Sequence, residues 1–253
     1  GKLGGKELGY ASDLDLAFVY DDDDPNAQEV YARFAQRIVT WLSSRTGAGI
    51  LFDTDLRLRP NGEAGLMVVS IDAFRKYQRE SAWSWEHQAL TRARACAGDA
   101  ALGRAFEEER VHILTAARDV PVLSKEVAEM RERMFQGHPN RSGLFDVKHG
   151  RGGMIDIEFV TQFLVLAHSH RHRALTGNLG NIALLKIAAD LGLIDAALAE
   201  PAREAYREFR RVQHRLRLND AEYARVPYAT VEPHVTAARR LWDAVMGPRP
   251  TRY

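Results

Sequence analysis

A chain of 253 residues, 45% hydrophobic and 27% charged, falls among globular proteins and outside the composition of disordered ones, and its length suits one large domain or two unequal ones. Its 35 Lys and Arg against 34 Asp and Glu leave a net charge of +1, which gives no whole-chain field to draw in nucleic acid or an anionic membrane. No apolar run approaches about 18 residues, no signal peptide precedes the first polar segment, and the single cysteine, Cys96, cannot form an internal disulfide, so the expected location is cytoplasmic.

The chain starts at Gly1, without Met and inside a glycine-rich stretch, as expected of a fragment cut from something longer. Strand and helix signals alternate over the first 70 residues. Residues 14–20 are apolar and β-prone, residues 27–42 place Val30, Phe34, Ile38 and Leu42 at helical spacing, and residues 50–58 return to a period of two. In that last segment Ile50, Phe52, Thr54, Leu56 and Leu58 share one face of a strand. Asp53, Asp55, Arg57 and Arg59 line the other until Pro60 stops it.

Beyond residue 70 strand signals nearly vanish. Residues 71–97 read as one or two helices, Asp99 caps a helix running into Ile113, and Ser124 opens another that Gly137 ends. The glycine turn at 150–153 opens an amphipathic helix reaching about His168, and helices follow over 178–191, 195–219 and 231–245. The expected fold class is α+β, with a mixed-sheet domain over residues 1–117 and an all-helical bundle over 118–253. Charge divides the same way: residues 1–115 carry 14 basic and 18 acidic side chains, residues 116–253 carry 21 and 16.

Chemistry-bearing residues gather in two places. In the first, Gly4 and Gly5 precede Ser12, Asp13 and Asp15. Residues i and i+2 of a strand point the same way, so the two carboxylates project as a pair and repel each other unless a cation lies between them. Hard oxygen donors select Mg2+ or Mn2+, and Asp55 from an adjacent strand completes a site for one or two ions. Gly4 and Gly5 let backbone N–H groups approach phosphate closely, and Ser12 adds a hydroxyl. The plainer alternative is a set of solvated acids at a strand end. Arg57 and Arg59 either reach triphosphate oxygens bidentately or pair on the surface with Asp53 or Glu63.

In the second, Lys148 precedes Gly152, Gly153, Asp156 and Glu158. A lysine and a Gly-Gly pair at a helix N-terminus suit an anion; the alternative is an interdomain hinge whose helix is capped by the acids. Other features read as ordinary surface. Asp21 to Asp24 suit a solvated loop, and His168, His170 and His172 a frayed helix end. The arginines at 207, 210, 211, 215 and 217 suit a solvated helix face rather than an RNA-binding one. Of Trp83 and Trp85, one is expected in the core and the other against a base or a protein substrate.

The glycine pair, acidic pair and later third acid resemble the nucleotidyltransferase fold typified by DNA polymerase beta. The strings GKLGGKELGYASDLDLAFVY, GILFDTDLRLRP, SAWSWEHQALTRARA and KHGRGGMIDIEFVTQFLVL, in that order across residues 1–166, resemble the glutamine synthetase adenylyltransferase family. Beyond about residue 170 only the helical character agrees. The resemblance implies a half-enzyme with a catalytic and a helical domain that moves AMP from ATP to a tyrosine of glutamine synthetase. The family's other half removes that AMP by phosphorolysis, and WSWEHQAL and GGMIDIEFVTQFLVL look like the adenylylating, C-terminal half.

By the same resemblance, Asp13 and Asp15 would bind Mg2+ or Mn2+, with Asp55 as third ligand or as base for the tyrosine proton. Gly4, Gly5, Ser12, Arg57, Arg59, Lys148, Gly152 and Gly153 would bind ATP. The Lys148, Gly-Gly and acid pattern also looks like that of the uridylyltransferase of the PII signal protein, and PII is the implied effector. A catalytically silent regulatory module is the alternative of another class, and the presence of all three acids argues against it.

Overall fold

The computed structural model describes residues 1–10, 12–57 and 65–248. The chain divides into two compact units, Gly1–Leu114 and Thr115–Tyr253. The fold class is α+β: long helices with strands of two or three residues.

The first unit runs β1 (Leu14–Asp15), β2 (Phe18–Tyr20), α1 (Ala27–Ser43), β3 (Arg45–Thr46), β4 (Gly49–Ile50), β5 (Thr54–Asp55), β6 (Val68–Ser70), α2 (Ile71–Glu80), α3 (Ser84–Leu90) and α4 (Ala100–Leu114). β1 pairs in parallel with β5 and β2 in parallel with β6, while β3 and β4 form an antiparallel hairpin. The expected strand over 14–20 is therefore two short strands with different partners. The one expected over 50–58 shrinks to β5, because Ile50 belongs to the hairpin and Leu51 follows it at 66% exposure. Leu58, Arg59 and Glu63 lie outside the described residues.

Helix α1 forms where its apolar spacing predicts, yet the spacing misleads about its packing. Val30 and Phe34 are more than half exposed, whereas Ala27 and Ala35 are buried and α1 lies against β5 and β6. Small residues let the helix approach the strands, while Ile38 and Leu42 of the stripe are half-buried. Helix α2 is capped by the Ser70 hydroxyl, which accepts from Ala73 N–H, and buries Ile71 and Phe74; α4 is capped by Asp99, whose carboxylate accepts from Ala101 and Leu102 N–H.

The second unit contains α5 (Val120–Gln136), β7 (Phe145–Asp146), α6 (Met154–His168), α7 (Asn181–Asp190), α8 (Ala196–Leu218), β8 (Arg225–Val226) and α9 (Glu232–Met246). Helix α5 begins four residues before Ser124, because Asp119 accepts from Val122 N–H and Pro121 suits the first turn. Nor is α6 amphipathic. Apart from Glu158, Gln162 and His168 its residues are all buried, and it packs against α5, α7, α8 and α9 as the centre of the bundle. The antiparallel pair β7 and β8, two residues each, is too short to show alternation in the sequence.

Candidate metal and nucleotide site

The parallel ladder of β1 and β5 builds the acidic cluster. Leu14 N–H donates to Asp53 C=O at 2.8 Å and Leu16 N–H to Asp55 C=O at 2.9 Å, a register that sets Asp15 directly beside Asp55. Asp13 lies one residue before β1. Carboxylate oxygens of Asp13, Asp15 and Asp55 all lie within 4.8 Å of one another, the one such group of three among the described residues. Burial pushes the Asp15 carboxyl up, and the Asp13 and Asp55 carboxylates add to the rise. Three hard oxygen donors at this spacing fit Mg2+ or Mn2+, and a divalent cation would relieve their repulsion.

Asp55 behaves differently. Its carboxylate accepts from Arg57 Nε at 2.9 Å, from Arg57 Nη2 at 2.5 Å and from Arg57 N–H at 2.8 Å, and the Arg57 side chain holds its pKa below the ordinary value. Arg57, expected to reach triphosphate oxygens, is thus engaged with Asp55 and 69% exposed. Asp53 is exposed and stands outside the cluster, and Arg59 lies outside the described residues.

The glycine loop is close-packed rather than open. Gly5 N–H donates to Gly1 C=O at 3.1 Å and Glu7 N–H to Lys2 C=O at 2.9 Å. A Cβ at Gly4 would lie 2.1 Å from the Arg92 carbonyl oxygen, and one at Gly1 would lie 1.5 Å from Asp15 Oδ2. The sequence marks Gly4 for phosphate approach, but the contact with Arg92 is what excludes a side chain there. Gly1 likewise brings the chain against Asp15. The Ser12 hydroxyl accepts from Gly9 N–H at 3.2 Å, tightening the turn into Asp13.

In the second unit, Lys148 is half-buried at the turn between β7 and α6. Asp146 Oδ1 accepts from Lys148 and His149 N–H, each at 2.9 Å. Burial opposes ionisation of Asp146, yet the His149 imidazole and these N–H groups outweigh it and lower its pKa to about 2. Asp156 is fully buried: Oδ1 accepts from Arg131 Nε at 2.6 Å and Oδ2 from Gly152 N–H at 2.6 Å, while Arg131 Nη2 donates to His149 and Gly150 C=O. Gly152, at φ +85°, leaves no room for a Cβ, which would lie 2.7 Å from Val235 Cγ1, and a Cβ on Gly153 would meet the Val147 carbonyl oxygen at 2.8 Å. The pair is a rigid, packed turn and not a flexible one. Glu158 accepts from the Tyr206 hydroxyl, which in turn accepts from Asn181 Nδ2. Sequence reading missed Arg131 and Asp146, since nothing in spacing marks which arginine or aspartate is buried.

The remaining features are placed as follows. Asp22 and Asp24 bond to backbone N–H groups within an exposed loop, α6 ends at His168, and Arg207 and Arg211 pair with Glu204 and Glu208 on α8. Trp83 precedes α3 and is 70% exposed, while Trp85, inside α3, is half-buried. No helix among the described residues is long and apolar enough to cross a membrane.

Residues 1–109 match the family model described as glutamate-ammonia ligase adenylyltransferase, and residues 123–227 match that of the GlnD PII-uridylyltransferase. The chain is similar to bifunctional glutamine synthetase adenylyltransferase/adenylyl-removing enzymes of Aromatoleum aromaticum (59% identity), Bordetella bronchiseptica (56%) and Nitrosomonas europaea (52%). The matches cover 98%, 97% and 98% of this chain and 26%, 26% and 28% of those proteins. It thus spans about a quarter of the length of the curated relatives it matches.

Proposed function

The chain belongs to the glutamine synthetase adenylyltransferase/adenylyl-removing family, and from that membership we propose that it is a nucleotidyltransferase moving AMP from ATP to a tyrosine of glutamine synthetase. The observation that carries the reading is the convergence of Asp13, Asp15 and Asp55 at the β1–β5 ladder. In this reading the first unit is a catalytic domain of the DNA polymerase beta type and the second its helical companion.

Asp13, Asp15 and Asp55 would hold Mg2+ or Mn2+. Bound there, such an ion supplies charge stabilisation for the α-phosphate and the departing pyrophosphate. The glycine loop, Gly4 and Gly5 with Ser12, receives the triphosphate beside the acids. Asp55, held acidic by Arg57, suits a ligand better than a base for the tyrosine proton, because a weakly basic carboxylate accepts a proton poorly. Arg57, more than two-thirds exposed, can turn to the triphosphate once Asp55 binds a cation. Lys148, beside the rigid Gly152-Gly153 turn, is the candidate anion contact of the second unit.

The adenylyl-removing reaction uses the same acids on a nucleotide phosphate, and its direction depends on whether a tyrosine hydroxyl or inorganic phosphate is admitted. The flanks of WSWEHQAL and GGMIDIEFVTQFLVL favour addition. The match to the PII-uridylyltransferase model supports PII as a regulatory partner of the complete protein. The test presents the full-length protein with Mg2+, ATP and unmodified glutamine synthetase, and separately with adenylylated synthetase and phosphate. Intact mass spectra should show AMP addition that is lost in the Asp13→Asn, Asp15→Asn variant. Addition that survives the double substitution overturns the site, and ADP release lost in that variant, with no addition by wild type, reverses the direction.

A further inference from the structure

The string TRARA, which follows α3, is absorbed by no step of the proposed chemistry, yet its first arginine lies beneath the glycine loop. Arg92 is 7% exposed, and its Nη2 donates to Glu7 Oε2 at 3.1 Å; Glu7 is 6% exposed. The loop itself rests on the same residue. A Cβ at Gly4 would meet the Arg92 carbonyl oxygen, and one at Gly5 would lie 3.0 Å from Arg92 Nε. Arg94 adds a second tie, donating from Nε to the Leu3 carbonyl at 3.3 Å.

The support beneath is rigid in turn. Arg110 of α4, 1% exposed, donates from Nε to Leu90 C=O at 2.8 Å and from Nη2 to Thr91 C=O at 3.1 Å, which fixes the chain leaving α3. A buried ion pair costs desolvation that apolar packing would avoid, so such a pair is weak support for stability and better suited to fixing one geometry. Here the geometry fixed is that of residues 1–7, which lead past Asp15.

We infer that Arg92 is a positioning residue: its ion pair with Glu7 and its backbone contact with Gly4 hold the glycine loop in the shape that receives the triphosphate of ATP. The role rests on reading that loop as the nucleotide site. It predicts a loss that falls on the nucleotide, because Arg92 meets Glu7, Gly4 and Gly5, all residues of the loop.

The test uses the full-length protein and its Arg92→Gln, Arg92→Lys and Glu7→Gln variants. Affinity for a non-hydrolysable ATP analogue with Mg2+, KM for ATP, KM for glutamine synthetase and the melting temperature are measured for each. The two glutamine variants should weaken analogue binding and raise KM for ATP about tenfold, as expected for one lost charge-assisted bond, and leave KM for glutamine synthetase within about twofold. Arg92→Lys, which keeps the charge, should recover much of the loss. If Arg92→Gln does not fold, Glu7→Gln, which preserves shape, decides the matter. Variants that fold and bind the analogue as wild type does overturn the positioning role, as do parallel losses toward both substrates that track the melting temperature. A wild-type protein that fails to bind the analogue overturns the nucleotide reading itself, and this role with it.

Discussion

Asp15 and Asp146 are both shielded from water, yet their acidities shift in opposite directions. Asp15 has carboxylates beside it and is pushed up by burial, which suits a group waiting for a cation; Asp146 has the His149 imidazole and two N–H donors and falls to about 2. Because the folded value of Asp146 lies below its ordinary 3.8, its stabilisation is complete above about pH 4 and lost as pH falls through about 2. The shift corresponds to about 2 kcal/mol. Urea unfolding of the wild type and Asp146→Asn should therefore differ by about that much at pH 6, with the gap closing between pH 4 and 2. A gap that persists unchanged to pH 2 would assign the contribution of Asp146 to shape rather than charge.

At the scale of elements, the turn from β7 into α6 is held at its start by Asp146 and at its end by Asp156. Asp156 joins the first turn of α6 to Gly152 N–H and to Arg131 of α5, and Arg131 reaches on to the His149 and Gly150 carbonyls. Removing one partner strands the other as a buried charge, so Asp156→Ala should destabilise the second unit by about 3–5 kcal/mol. Chemical denaturation followed by helical circular dichroism measures this. A loss under about 1 kcal/mol would show that water reaches Arg131 once the carboxylate is gone. Helix α1 shows the converse: Val30 and Phe34 of its apolar stripe are exposed while Ala27 and Ala35 are its buried residues, so the stripe reports a face without reporting what that face touches.

For the molecule as a whole, the chain divides into two compact units, with the three acids in the first and Lys148 in the second. If Lys148 contributes a phosphate contact, Lys148→Ala in the full-length protein should slow AMP transfer about 10- to 100-fold, the worth of one charge-assisted bond, and shift the melting temperature by only a few degrees. Normal specific activity with a large loss of stability would make the turn a hinge instead.

Much of the local structure is legible in the residues themselves. Asp99 and Gly137 mark helix ends because caps act on the adjacent turn, and the helical spacing of residues 27–42 is met by α1. The pairing of Asp13 with Asp15 is legible for the same reason, since positions i and i+2 in an extended chain point alike. What tertiary structure decided lies between distant positions. Asp55 stands beside Asp15 only through a two-residue parallel ladder, too short to show a period, and Glu7 meets Arg92 across 85 positions. Asp156, which reads as an acid beside an anion site, becomes a structural clamp because Arg131, 25 positions earlier, is folded against it. Spacing encodes which way neighbouring side chains point; which partner they meet is set by packing of the whole chain, where burial decides whether a charge is a ligand, a clamp or a solvated surface group.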